Sequence, residues 1–230
     1  KAVDDCSKCH MPLKESDDFG ARLRLMGKGR AAKSLMTIHD HTFPGANTAV
    51  AWFKGFDATI KAHQDFLKGA MRVDIFGVRE GGTVAGTLHA PLRPKVPKLQ
   101  PGKKYLLETV IRTMKLGHLF TQGTVDSNEV WLDVTVSSGG RVIGRSGALD
   151  GSREVDPWSH FVNVFMLDRN GNRIARRNPQ DIFVPLYNNQ IPPGAGQTVH
   201  YEMHLPSDLT APVKVEIKLN YRKFDKQYTD

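Results

Sequence analysis

The pattern of apolar and polar positions changes period near residue 70. Between Ala49 and Leu67, the set Ala49, Phe53, Phe56, Ile60, His63 and Leu67 recurs at alternating steps of four and three, the spacing of one face of an α-helix. A helix is therefore expected from Asn47 or Thr48, either of which can cap it, to about Leu67, with Gly69 ending it. From Met71 onward the period is two. Val213, Val215, Ile217, Leu219 and Tyr221 alternate with Lys214, Glu216, Lys218 and Asn220. Val130, Leu132, Val134 and Val136 alternate in the same way with Glu129, Trp131, Asp133 and Thr135. Each set predicts a strand with one wet face. Further strands are expected near 73–78, 105–113, 141–145, 161–167, 182–186 and 199–205, separated by turns such as Asp168-Arg169-Asn170-Gly171.

About eight short strands with no helices between them predict an antiparallel β-sandwich. Residues before Asn47 show neither period and are punctuated by Gly20, Gly27 and Gly29, so they are expected to be irregular. The expected architecture is mainly β: a small irregular and α-helical lobe over residues 1–70, then an antiparallel β-sandwich over 71–230. Four prolines and five cations between Pro91 and Lys104 predict an extended, solvated connection.

Composition narrows the function. The 230 residues include 32 Lys and Arg against 24 Asp and Glu, a net charge of +8, with 40% hydrophobic residues and a mean hydropathy of −0.38. No apolar run approaches the roughly 18 residues of a spanning helix, so no membrane insertion is expected. The first residues, Lys1-Ala2-Val3-Asp4-Asp5, lack the basic and apolar regions of a secretory signal. With no initiator Met, the sequence reads as a processed form or as part of a larger chain. The cations are dispersed over loops and wet strand faces with no recognition-helix pattern, which argues against nucleic acid as a partner. No serine-histidine-acid triad or phosphate loop stands out by spacing.

The chemistry lies in the two cysteines, which form Cys6-Ser7-Lys8-Cys9-His10. Shuffling this composition would place two Cys three apart with His next in roughly one chain in 3,000, and C-x-x-C-H is the spacing of c-type haem attachment. Two thiols three positions apart reach the two vinyl groups of one porphyrin, and the adjacent imidazole of His10 lies under the iron as proximal ligand. Two other readings use the same residues. A disulfide or redox dithiol has the C-x-x-C spacing, although no thioredoxin-like unit surrounds it. A tetrahedral zinc site could combine Cys6 and Cys9 with His39 and His41.

A covalent haem would also supply the core that the first 46 residues lack. Arg22, Arg24, Lys28, Arg30 and Lys33 then have a local use beside its anionic propionates, or else form a solvated basic loop. Among the other histidines, His63 falls on the apolar helix face, as a packed core residue or an iron ligand. His118 lies in the Gly-bounded loop Leu116 to Thr124 between two strands, and His41 lies in His39-Asp40-His41-Thr42-Phe43-Pro44-Gly45. Both sit beside an aromatic residue in settings suited to a distal ligand. His200 and His204 share one face of a strand with Glu202 and read as surface residues, a two-histidine metal site there lacking further ligands.

Taken together, Cys6 to Pro12 as C-x-x-C-H-M-P and His41-Thr42-Phe43-Pro44-Gly45 resemble the last haem-binding stretch of multihaem c-type cytochromes. The loop Gly117-His118-Leu119-Phe120-Thr121-Gln122-Gly123 is similar to the one opening the β-sandwich domain that follows the haem region in such proteins. Asp156-Pro157-Trp158-Ser159-His160 and Ile191-Pro192-Pro193-Gly194 fit the same domain. The cytochromes resembled are of the kind often joined to tetratricopeptide repeats. The resemblance implies haem c with two imidazole ligands: His10 proximal, His41 or His118 distal, and His39 and His63 as further candidates. One attachment motif stands where the family has several, which implies that other haem-bearing segments or cytochrome subunits are partners.

The expected function is electron transfer, with a redox partner protein of acidic character, in the periplasm or at an extracellular surface. Two alternatives remain at this stage. One is a haem-dependent oxidoreductase subunit acting on a small nitrogen or sulfur compound, which needs an open iron position. The other is a structural or assembly β-sandwich module with a zinc or dithiol site.

Overall fold

The computed structural model describes residues 5–123, 125–174, 176 and 178–229. Residues 1–4 at the start of the sequence and Thr124, the last residue of the expected Gly-bounded loop, lie outside the described residues. The chain divides into two compact units, Lys1–Lys68 and Gly69–Asp230.

The first unit begins with a one-turn helix, α1 (Ser7–His10), followed by strands β1 (Leu13–Glu15), β2 (Arg22–Met26) and β3 (Lys33–His39). These strands form an antiparallel sheet in the order β1-β3-β2, with Leu13 opposite His39 and Leu23 opposite Met36. The expectation of an irregular stretch before Asn47 is therefore corrected. The three strands bury only Thr37 between them, and Leu23 and Leu25 of β2 are exposed, so the alternation of Arg22-Leu23-Arg24-Leu25 marks no covered face. The expected single helix is also corrected: it is two, α2 (Thr48–Phe53) and α3 (Asp57–Leu67). Gly55, at φ +68°, breaks the run between them, a conformation that costs glycine little and other residues more. Asn47 stands at the first cap position without a capping side-chain hydrogen bond.

The second unit is mainly β and antiparallel throughout. Its strands are β4 (Met71–Glu80), β5 (Leu88–His89), β6 (Lys104–Thr113), β7 (Glu129–Ser138), β8 (Arg141–Ser146), β9 (Val164–Leu167), β10 (Arg173–Ile174), β11 (Val184–Asn188), β12 (Gly196–His204) and β13 (Val213–Arg222). They form a four-stranded sheet β12-β6-β4-β5 and two three-stranded sheets, β13-β7-β8 and β10-β9-β11. A short helix, α4 (Lys226–Thr229), follows. Val134 and Val136 of β7 and Tyr201 and Met203 of β12 line one pocket, so the sheets that hold β7 and β12 face each other. Leu107, Ile111, Leu132 and Leu205 are fully buried.

Strand β7 corrects a third expectation. Its supposed wet face is covered at Glu129 and Trp131, both buried. Trp131 bridges to Phe161, its indole N–H donates to the Gly147 carbonyl at 3.1 Å, and the Leu132 N–H donates to the His160 carbonyl at 3.0 Å. The chain around Phe161 thus lies over that face as added backbone, which a period-two pattern does not register. The connection from Pro91 to Lys104 is largely exposed coil, and β13 keeps its alternation of half-buried and exposed residues up to Leu219.

Candidate functional site

Helix α1 is a single hydrogen-bonded turn. The Cys6 carbonyl accepts from the Cys9 N–H at 3.3 Å and from the His10 N–H at 2.9 Å. Asp5 closes its start: one carboxylate oxygen accepts from the Ser7 N–H at 2.9 Å and the Ser7 hydroxyl at 2.7 Å, and these bonds hold the Asp5 carboxyl below its usual range. In a helical turn, positions i, i+3 and i+4 share a face. Cys6, Cys9 and His10 occupy those positions, and both thiols are free and exposed.

The ring of His10 is oriented from the stretch around Pro44. Its Nδ1 lies 2.7 Å from the Pro44 carbonyl oxygen. A carbonyl only accepts, so Nδ1 carries the proton and Nε2 carries the lone pair, the arrangement of a metal-ligating histidine. Phe66 of α3 packs against the same ring, with centroids 5.3 Å apart. The next residue, Gly45, meets His63: the His63 Nδ1 lies 2.8 Å from its N–H and 2.9 Å from its carbonyl oxygen. Either tautomer of His63 is satisfied there, so this contact orients the buried ring without selecting the nitrogen that holds the proton. Two consecutive residues therefore anchor two imidazoles. Phe43, just before them, sits at φ +46°, a left-handed conformation that non-glycine residues rarely adopt and that clusters at functional sites.

His39, at the end of β3, is held in the same manner as His10. Its Nδ1 donates to the Met11 carbonyl at 2.7 Å, again leaving the lone pair on Nε2. His41 is exposed, and its ring makes no hydrogen bond among the described residues; the turn around it is set by the Thr42 N–H donating to Asp40 at 3.0 Å. In the second unit, His118 is exposed and its Nδ1 donates to the Leu119 carbonyl at 2.8 Å, while Phe120 is buried against Tyr221. The aromatic residue pins the loop and the histidine points outward.

Three of the four remaining histidines are held through the other nitrogen, and His204 is exposed. Nε2 of His89 faces Glu80 at 2.8 Å, Nε2 of His200 faces Glu108 at 3.3 Å, and Nε2 of His160 faces the Gln197 side chain at 3.1 Å. Burial pushes the His160 imidazole below its usual range. The anchoring of the rings by the carbonyls of Pro44, Gly45 and Met11 was invisible to residue-type reasoning. The one sequence signal for it was the His41 to Gly45 stretch itself.

The first unit has almost no core of its own. Its buried residues among those described are Ala21, Thr37, Ala51 and His63, while Phe19, Phe43, Trp52, Phe53 and Phe56 are each more than half exposed. Phe53 and Phe56, expected on the covered face of one helix, are left open by the break at Gly55. An apolar plate bound to this unit would cover side chains of this kind, at a gain of roughly 25 cal/mol for each Å² removed from water. Free thiols on one helical face, an imidazole with its lone pair on Nε2 and uncovered aromatic residues all fit a covalently attached haem. A tetrahedral zinc site is not assembled: no group of three or more His, Cys, Asp or Glu side chains placed to hold a metal ion occurs among the described residues. No helix is long and apolar enough to cross a membrane.

No family model matches the chain, and no curated protein matches it. Among solved structures, the chain is similar to a penta-heme cytochrome c552 from Thermochromatium tepidum, with 18% sequence identity and a TM-score of 0.50. The match covers 95% of this chain and 40% of that one, so this chain spans about two fifths of the length of its structural neighbour.

Proposed function

We propose that this chain is an electron-transfer module of a larger multihaem c-type cytochrome, with haem c joined covalently to Cys6 and Cys9 and His10 as the proximal iron ligand. The observation that carries the reading is the coincidence on one helical turn of two free thiols and an imidazole whose Nδ1–H is donated to the Pro44 carbonyl. The fold likeness to a penta-heme cytochrome supports it. Bound there, the haem supplies a one-electron Fe(III)/Fe(II) couple.

The chain's own residues do the rest. Donation from Nδ1 to Pro44 fixes the plane of the His10 ring and makes Nε2 more basic. Phe66 packs on the ring. A second imidazole completes the iron, drawn from His41 and His118, which carry the motif likeness, and from His39 and His63, which are anchored within the same unit as His10. Two imidazoles leave no open iron position, so the module passes electrons and has no bound substrate to transform. Other haem-bearing segments of the same cytochrome are its partners, and an oxidising compartment, the periplasm or an extracellular surface, is where it works.

Replacement of both cysteines, C6A/C9A, tests the attachment. The expected result is a chain that releases its haem into acidified acetone where the parent retains it. Haem that stays with the doubly substituted chain would contradict the proposal.

A further inference from the structure

A stretch of five cations without ion-pair partners lies in the sheet that ends at His39. From Phe19 to His39 the chain holds Arg22, Arg24, Lys28, Arg30 and Lys33 and no acidic residue. All five are exposed, and none makes an ion pair among the described residues. By contrast, Lys14 pairs with Asp40 at 3.7 Å and Lys61 and Lys68 both pair with Asp65, at 2.5 and 2.6 Å, within the same unit. The register of β2 and β3 places Arg22, Arg24 and Lys33 on one face and Leu23, Leu25 and Met36 on the other. Those three apolar residues are 68%, 70% and 45% exposed. A hairpin with an apolar side and a cationic side, and with an unpaired outer edge at β2, has the makeup of a protein contact surface.

Its place in the sheet ties it to the redox site. β2 pairs with β3, β3 ends at His39, and His39 donates to the carbonyl of Met11, the residue after His10. The end of the hairpin that carries Arg22, opposite Thr37, is therefore the end nearer to His39 and Met11, and the turn with Lys28 and Arg30 is the end farther from them.

We propose that the β2–β3 hairpin is the docking surface for an acidic redox protein, which it steers by charge onto the first unit. The inference rests on the electron-transfer reading above. Charge complementarity identifies the occupant: five cations without ion-pair partners, Arg22, Arg24 and Lys33 on one face of the hairpin and Lys28 and Arg30 at its turn, favour a surface rich in carboxylates. One electron passes, from the reduced partner to Fe(III), leaving the partner oxidised by one electron and the haem as Fe(II).

Flavodoxin, a small and strongly acidic flavoprotein, is the probe. Binding of oxidised flavodoxin is followed by flavin fluorescence, and reduction of the haem by flavodoxin hydroquinone by stopped flow, at about 0.01 and 0.15 M ionic strength, where the screening length falls from about 30 to about 8 Å. The variant R22E/R24E is compared with R93E/K95E, which changes the net charge equally within the exposed coil of the second unit; R22Q/R24Q serves if the reversal disturbs folding. The expected result is binding and reduction weakened about tenfold or more in R22E/R24E at low salt, and less than about twofold in R93E/K95E. Equal losses in both variants would show that only net charge matters and overturn the proposal. No loss in either would also overturn it, including the case in which R22E/R24E instead abolishes binding to phosphatidylglycerol vesicles. A shift of haem potential in R22Q/R24Q without any change in flavodoxin binding would assign the arginines to the haem propionates and overturn it as well. A wild-type chain without a Soret band defeats the electron-transfer reading, whereas a haem-loaded chain whose variants lose flavodoxin binding equally, or not at all, defeats the hairpin proposal alone.

Discussion

A ring nitrogen that carries a proton cannot ligate iron, so the hydrogen bonds of each histidine sort those fit to be ligands from those that are not. His10, His39 and His118 donate from Nδ1 to a backbone carbonyl. His89, His160 and His200 are instead engaged through Nε2. Replacing His10 with Gly is expected to abolish the low-spin six-coordinate spectrum, and added imidazole should restore it in part. An unchanged spectrum in that variant would contradict the role of His10. Replacing His39, His41, His63 and His118 one at a time with Met should change the near-infrared charge-transfer band in one variant, which identifies the distal ligand; a band unmoved in all four would contradict a distal ligand from this chain.

His160 has a different part to play. Burial holds its pKa below the ordinary 6.5, so the folded chain keeps the ring neutral where the unfolded chain has begun to protonate it. The unfolded state then binds more protons, and stability falls as the pH drops through about 6.5. In His160→Gln, chemical denaturation should show a flatter pH dependence between about pH 7 and pH 5 than in the parent. An identical slope would show that this ring does not contribute.

At the scale of the element, strands were more legible than helices. The alternation of Val213 to Tyr221 and of Val199 to Leu205 gave their strands to within a few residues, because one side of each faces the core and the other faces solvent. The alternation of β7 was equally clear, but its second face is covered by the chain around Phe161, and nothing in the periodicity of β7 announces a covering segment. The helix period from Ala49 to Leu67 was real, yet Gly55 divides it, and the sequence offered no way to weigh one glycine against an unbroken apolar face. In the first unit, strands β1 to β3 bury only Thr37 between them, so their sheet has no covered apolar face from which a period could be read. The Cys6-Ser7-Lys8-Cys9-His10 spacing can be read directly from the sequence, whereas the carbonyls that orient His10, His39 and His63 belong to backbone and have no letter of their own.

Packing between elements also yields a test. Gly147, at φ +80°, lies so close to β7 that a Cβ added there would stand 2.0 Å from the Leu132 carbonyl oxygen, and its own carbonyl accepts from Trp131. Gly147→Ala is expected to lower the unfolding free energy by more than about 1 kcal/mol, measured by urea denaturation, through both strain and displacement of the strand. Stability equal to the parent would contradict the close approach.

For the molecule as a whole, the two units differ in what holds them together. The second has a continuous apolar core built from facing sheets, with Leu107, Ile111 and Leu132 fully buried. The first, with Ala21, Thr37, Ala51 and His63 as its buried residues among those described, has too little apolar burial to offset the entropy of ordering its chain, which costs roughly 1–2 kcal/mol per residue for the backbone alone. Hydrogen exchange on C6A/C9A without haem should show rapid exchange across α2, α3 and β1 to β3 and retained protection in β6, β7 and β12. Equal protection of both units would contradict the structural role given to the haem.

The central claim is that this chain carries haem c on Cys6 and Cys9. The most direct measurement is the absorption spectrum of the protein, oxidised and then reduced with dithionite, followed by extraction with acidified acetone. The account predicts a Soret band and sharp α and β bands on reduction, with the colour remaining on the polypeptide after extraction. A protein expressed with the cytochrome c maturation apparatus that is colourless, or whose colour passes into the acetone, would contradict it.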